Sequence, residues 1–142
     1  MASIKNHTSV DVTKLLLVGD SGSGKTASLA TLANAGYKLR ILDFDNGLDI
    51  LPEFLTDTGV NNVSYVSLKD PMGKAEAFRK GATLISNWKD EDEEYGPVSK
   101  WTNKDVLVID SLTLMCEAAL RAALVFNNKK STDQASQPEW GT

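Results

Sequence analysis

Hydrophobic and polar positions change rhythm several times along this chain, and each rhythm predicts an element. Residues 14–18 (KLLLV) form a short unbroken apolar run of the kind that a strand covered on both faces shows. A glycine-rich stretch follows, and residues 26–35 then read as a helix with Leu29, Ala30, Leu32 and Ala33 inward, stopped by Gly36. Residues 39–44 (LRILDF) predict a second strand, and DNGLDILPEFL after it predicts a loop with at most a short helix. Residues 62–68 alternate and predict a strand, with Asn61 and Asn62 as the turn before it. Asp70 and Pro71 look like the cap and first residue of a helix whose buried stripe is Met72, Ala75, Phe78, Ala82, Ile85 and Trp88. The acidic run and YGPVSKWTNK predict a loop. Residues 105–110 (DVLVID) predict a fully apolar strand ending in a carboxylate, and residues 111–126 predict a helix apolar almost all round, with Glu117 and Arg121 as its one i, i+4 pair. Such a helix must be covered on most sides. Residues 1–12 read as a frayed leader, and residues 127–142 as polar loop in which QPEW opens a further helix.

Strands alternating with helices of ten or more residues predict βα units around a parallel sheet. No internal repeat is visible. At 142 residues with 42% hydrophobic content, the chain is long enough for one domain with a core and short for two. Cys116 is the sole cysteine, so it has no disulfide partner in the chain, and its apolar surroundings predict a core position. There is no basic segment followed by an apolar stretch at the start and no run near 18 apolar residues, which predicts a cytoplasmic protein with no membrane partner. Fifteen Lys and Arg against nineteen Asp and Glu give a net charge of −4, which excludes a whole-surface nucleic-acid footprint and leaves only local contact. Five consecutive acids, residues 90–94, read as a solvated helix end and loop.

The chemistry is concentrated in GDSGSGKT, residues 19–26, which satisfies G-x-x-x-x-G-K-[ST] between a predicted strand and a predicted helix. Chance supplies such an octet in fewer than about one in a hundred chains of this length. Gly19, Gly22 and Gly24 permit backbone angles that aim successive N–H groups at one anion, and Asp20, Ser21 and Ser23 complete that loop. The helix after it adds its positive end. Lys25 would reach the β and γ phosphates, and the Thr26 hydroxyl would sit on Mg²⁺. Asp110, at the carboxyl end of a parallel strand, is placed to share that Mg²⁺, or else to cap the next helix. In ILDFDNG, Asp43 and Asp45 end another strand on the same sheet edge. Asp45 is the candidate to orient water for hydrolysis, alongside its reading as part of a turn with Asn46 and Gly47.

Together, GDSGSGKT, ILDFDNGLD and DVLVIDSLTLM resemble the RecA-like ATPases in order and spacing, and among these the chain is most similar to small phage-encoded proteins of recombination and single-strand annealing. The resemblance covers about residues 14–142. It implies an α/β fold, a P-loop NTPase of RecA-like type with a parallel sheet flanked by helices over residues 13–142. It also implies ATP and Mg²⁺ as cofactors, residues 19–26 on the triphosphate, Lys25 and Asp45 as catalytic, Thr26 and Asp110 on the metal, and homo-oligomers that bind single-stranded DNA in a host cytoplasm. Asp45 stands where the family has a Glu, one methylene longer, so slow hydrolysis is expected. The family fold continues with further strands, one of them between the strands that precede Gly19 and end at Asp110, so these residues are expected to be an N-terminal portion of the domain. A small-molecule kinase and a nucleotide-binding scaffold without turnover are the alternatives. Arg40, Arg79 and Arg121 are the only arginines, each with a surface reading, and no arginine finger is singled out. No residue is assigned to a base pocket; the aromatic residues Tyr37, Tyr65, Trp88 and Trp101 each read as core or rim.

Overall fold

A computed structural model describes residues 12–71, 73–89, 93–130 and 132–134. Its organising element is β1 (Lys38–Asp43), whose KLRILD sequence is buried from the second residue onward. A strand so buried has cover on both faces and partners on both sides. β2 (Val63–Ser67) pairs with it in parallel, Leu39 opposite Val63, and β5 (Asp105–Asp110) pairs in parallel on the other side, Asp43 opposite Asp110. The sheet order is β2-β1-β5.

Side chains alternate across this sheet. Leu39 and Ile41 face α1 (Lys25–Asn34) and a 3₁₀ segment, Leu48–Phe54, in a core with Leu29, Ala30, Ala33 and Leu51. Leu42 and Phe44 face the other way, toward α2 (Ala77–Ser86) and α3 (Leu112–Phe126), in a core with Leu68, Leu84, Trp88 and Ala118. The fold is thus α/β, a small parallel three-stranded sheet flanked by helices. α1 closes as its sequence predicts: Gly36 has φ 85°, and the Gly36 and Tyr37 N–H groups donate to Ala33 and Leu32 carbonyls at 3.0 and 3.1 Å.

Several expectations are corrected. Residues 14–18 are not a strand: Leu15, Leu16 and Val18 are 77%, 68% and 84% exposed. Among the described residues the run pairs with neither outer edge of the sheet β2-β1-β5, so its apolar side chains gain no cover. The second helix starts at Ala77 rather than Asp70, because the chain turns through Gly73 at φ 80°. Asp70 still caps it from outside, its Oδ1 accepting the Glu76 and Ala77 N–H groups at 2.7 and 2.8 Å. The later start moves the buried stripe to Ala77, Gly81, Leu84 and Trp88, leaving Ala82 and Ile85 exposed, while Met72 lies outside the described residues. Gly81 lets α2 approach the sheet: an added Cβ would stand 3.1 Å from Phe44 and 3.2 Å from Leu68. The acidic stretch flanks a short hairpin, β3 (Trp88–Lys89) antiparallel to β4 (Glu94–Gly96); residues 90–92 lie outside the described residues. Finally, α3 is covered on one side only, with Leu112, Val125 and Phe126 exposed, and Cys116 faces outward rather than into the core. The predicted Glu117–Arg121 pair is present at 3.7 Å. The QPEW segment lies outside the described residues.

Arg40 departs most from its surface reading. It is 5% exposed, pairs with Asp105 at 3.8 Å, and lies under the Tyr95 ring at 3.6 Å. Tyr95 OH meets Ser64 Oγ at 3.2 Å, and Trp101 donates from Nε1 to the Tyr95 carbonyl at 3.1 Å while packing 5.8 Å from Trp88. The arginine therefore fastens the hairpin to the sheet through cation–π and ion-pair contact. Burial pushes the Asp105 carboxyl up, but hydrogen bonds from the Thr102 hydroxyl and N–H, with the charges of Arg40 and Lys38, outweigh it and hold the carboxyl below its ordinary value. A depressed folded pKa stabilises fully above the unfolded value near about 3.9, and that stabilisation is lost as pH falls through the folded one. Urea unfolding should show Arg40→Met destabilised by about 1–3 kcal/mol at neutral pH. Asp105→Asn should show a shallower loss of stability than wild type as pH falls below about 4.

Candidate functional site

The candidate site forms where the glycine-rich loop enters α1. The Ser23 N–H donates to the Asp20 carbonyl at 3.2 Å, turning the chain, and Gly24 takes φ 86° as the residue before the helix. That left-handed angle is one a side-chain-bearing residue avoids. Nothing stands within 4 Å of where a Cβ would be at Gly22 or Gly24, so the loop is open above its backbone. No side chain caps α1, and its first-turn N–H groups have no intrahelical acceptor. The Lys25 ammonium folds over the loop and donates to the Gly19 and Asp20 carbonyls at 2.7 Å each. An uncapped helix start beside a lysine is a donor-rich, positive concavity, which suits an anion.

Asp110 closes the other side. Thr26 Oγ1 donates to Asp110 Oδ2 at 2.8 Å, joining residues 84 positions apart in sequence. Asp110 is not the cap of α3: Ser111 takes that place, its Oγ accepting the Leu114 N–H at 3.4 Å. The Asp110 carbonyl is used as well: the Phe44 and Asp45 N–H groups donate to it at 2.6 and 3.2 Å. The loop, the end of β5 and the turn after β1 thus meet at one residue. The peptide between Asp110 and Ser111 is cis.

Asp45 itself is exposed, and among the described residues its carboxylate accepts no hydrogen bond. The turn is built on Asp43 instead: its Oδ1 accepts the Asn46 N–H at 2.7 Å, its Oδ2 the Ser67 hydroxyl at 3.4 Å, and Ser67 also reaches Asn46 Oδ1 at 3.1 Å. Asn46 sits at φ 57°, an angle asparagine tolerates better than most residues. Sequence reasoning missed this role of Asp43. The signal was the alternation of β1, which puts Asp43 on the inward face of Leu39 and Ile41.

The structure thus brings Gly19, Asp20, Ser21, Gly22, Ser23, Gly24, Lys25 and Thr26 together with Asp110, and ties Asp45 to them through its backbone alone. Arg79 and Arg121 are exposed and take no part. Of those aromatic residues, Trp88 is core, Trp101 packs on it, Tyr37 lies under Lys104 at 4.6 Å, and Tyr65 is 60% exposed on β2. Among the described residues no helix is long and apolar enough to cross a membrane, and no group of three metal-ligating side chains is clustered. Comparison with protein-family models, with curated proteins and with solved structures finds no match for the chain.

The hydroxyl of Thr26 is expected to matter more than its methyl. Thr26→Ser should unfold within about 0.5 kcal/mol of wild type. Thr26→Val leaves one Asp110 oxygen without its donor and should cost about 1–3 kcal/mol, read by urea titration without added nucleotide.

Proposed function

We propose that this chain is a nucleotide-binding protein of RecA-like type, an Mg²⁺-dependent ATPase whose cradle is residues 19–26 and whose second wall is Asp110. The observation that carries the reading is the 2.8 Å contact between Thr26 and Asp110, which brings the end of the glycine-rich motif to the carboxylate at the end of β5. Both are oxygen donors suited to a hard divalent cation. Action in DNA recombination or single-strand annealing, with single-stranded DNA and further copies of the chain as partners, is supported by the resemblance of the three segments alone.

In this reading the loop N–H groups and the α1 terminus hold the phosphates, and Lys25 leaves the Gly19 and Asp20 carbonyls to meet them. Thr26 and Asp110 would hold Mg²⁺, which when bound offsets phosphate charge. The turn 43–46 presents the Asp45 carboxylate for orienting water. That carboxylate has no hydrogen-bonded support among the described residues, which favours slow turnover and keeps a second reading in play, a scaffold that responds to nucleotide without consuming it.

Titration with Mg-ATP and a phosphate-release assay test both. Lys25→Ala should weaken ATP binding at least about tenfold, since a charged contact to phosphate is lost. Asp45→Ala should keep binding and lose turnover. Unchanged ATP affinity in Lys25→Ala would remove the cradle reading, whereas binding with background turnover in wild type would select the scaffold. Stimulation by single-stranded DNA is expected of the recombination reading.

A further inference from the structure

On the face of the sheet that carries α1, a cavity of about 280 Å³ opens between the 3₁₀ segment Leu48–Phe54 and the start of β2. Leu48, Leu51, Leu55 and Val63 give it apolar walls, while Asp43, Asp49 and Tyr65 give it polar or aromatic positions. Its size lies just under that of common ligand pockets, roughly 300–1,000 Å³, so it suits a short molecule.

Asp43 makes the cavity specific. It is 2% exposed, and its two hydrogen bonds, from the Asn46 N–H at 2.7 Å and the Ser67 hydroxyl at 3.4 Å, come from neutral donors. A carboxylate has about four acceptor positions, so capacity remains. Among the described residues no basic side chain forms an ion pair with it. A buried carboxylate without a charge partner is costly, and the cost falls when a cation reaches it. Asp49 adds a second negative charge at the exposed rim, and the open Tyr65 ring offers a face to a cation. A metal ion suits the walls poorly, because they supply two carboxylates and one amide among aliphatic side chains. An anion is opposed by both aspartates. A neutral apolar molecule fills the walls and leaves Asp43 as it was.

We infer that this cavity binds a small organic cation, an ammonium or guanidinium head on a hydrocarbon stem of about four carbons, with the head at Asp43 and the stem against Leu51 and Val63. The site does not depend on the nucleotide reading. The same head and stem occur in a free amine and in a lysine or arginine side chain, and the test separates them.

Titration of ¹⁵N-labelled full chain, followed by amide chemical shifts at constant ionic strength, uses n-butylammonium, n-butylguanidinium, n-butanol and n-butyrate. Saturable shifts are expected at residues 43–65 for the two cations, with the alcohol and the carboxylate at least about tenfold weaker. Asp43→Asn should reduce cation affinity about tenfold or more while the alcohol is unaffected. A further arm with Nα-acetyl-lysine methylamide assigns the source: tighter binding than butylammonium points to a polypeptide side chain, weaker binding to a free amine. Equal binding of cation and alcohol, or unchanged cation affinity in Asp43→Asn, would overturn the inference. If Asp43→Asn does not fold, the wild-type comparison of cation with alcohol decides the chemistry. Tyr65→Ala, on the exposed strand face, then decides the location, and cation shifts that it leaves untouched count against the site.

Discussion

The structure depends on β1 being enclosed on all four sides. Six residues, KLRILD, receive a parallel neighbour on each edge and a packed layer on each face, and every other described element is placed by which of those sides it fills. A parallel arrangement requires crossovers, and the 3₁₀ segment Leu48–Phe54 lies in the one from β1 to β2 while α2 lies in the one from β2 to β5. It also explains why the chemistry collects at one end. Parallel strands finish on a common edge, and Asp43 and Asp110 finish side by side because their strands are in register.

A second constraint acts on the opposite face. Arg40 is a charged residue buried between Leu39 and Ile41 in its strand, and its burial is made tolerable by an aspartate, a tyrosine ring and a tryptophan at longer range. The arrangement turns a cost into a selection rule: the hairpin of β3 and β4 can dock only where Tyr95 covers the guanidinium. An arginine suits this role better than a lysine because its flat head stacks on a ring while its edge meets a carboxylate.

Much of this was legible from the residues. β1, β2, β5, α1 and α3 follow from unbroken apolar runs, alternation and terminal signals, and the meeting of residues 19–26 with Asp110 follows from the motif and the parallel topology. What was not legible concerns competition between elements. The KLLLV run has the composition of a buried strand, but composition does not say whether a sheet edge and a covering layer meet it, and among the described residues neither does. Asp70 has the chemistry of a cap, yet spacing alone does not show that it serves a helix seven residues on. The roles of Asp43 and Asp45 divide for a similar reason. Both are aspartates near a strand end, but β1 stops at Asp43, whose place in the pleat turns it inward with Leu39 and Ile41, while Asp45 lies beyond the strand in the turn and stands in solvent.

Asp110 is held at two points, by Thr26 through its carboxylate and by the Phe44 and Asp45 amides through its carbonyl. A residue gripped at both ends carries displacement as a short rigid lever does. The glycine loop and the turn after β1 are thus joined through a single residue, so a change in the place of Asp110 bears on both at once.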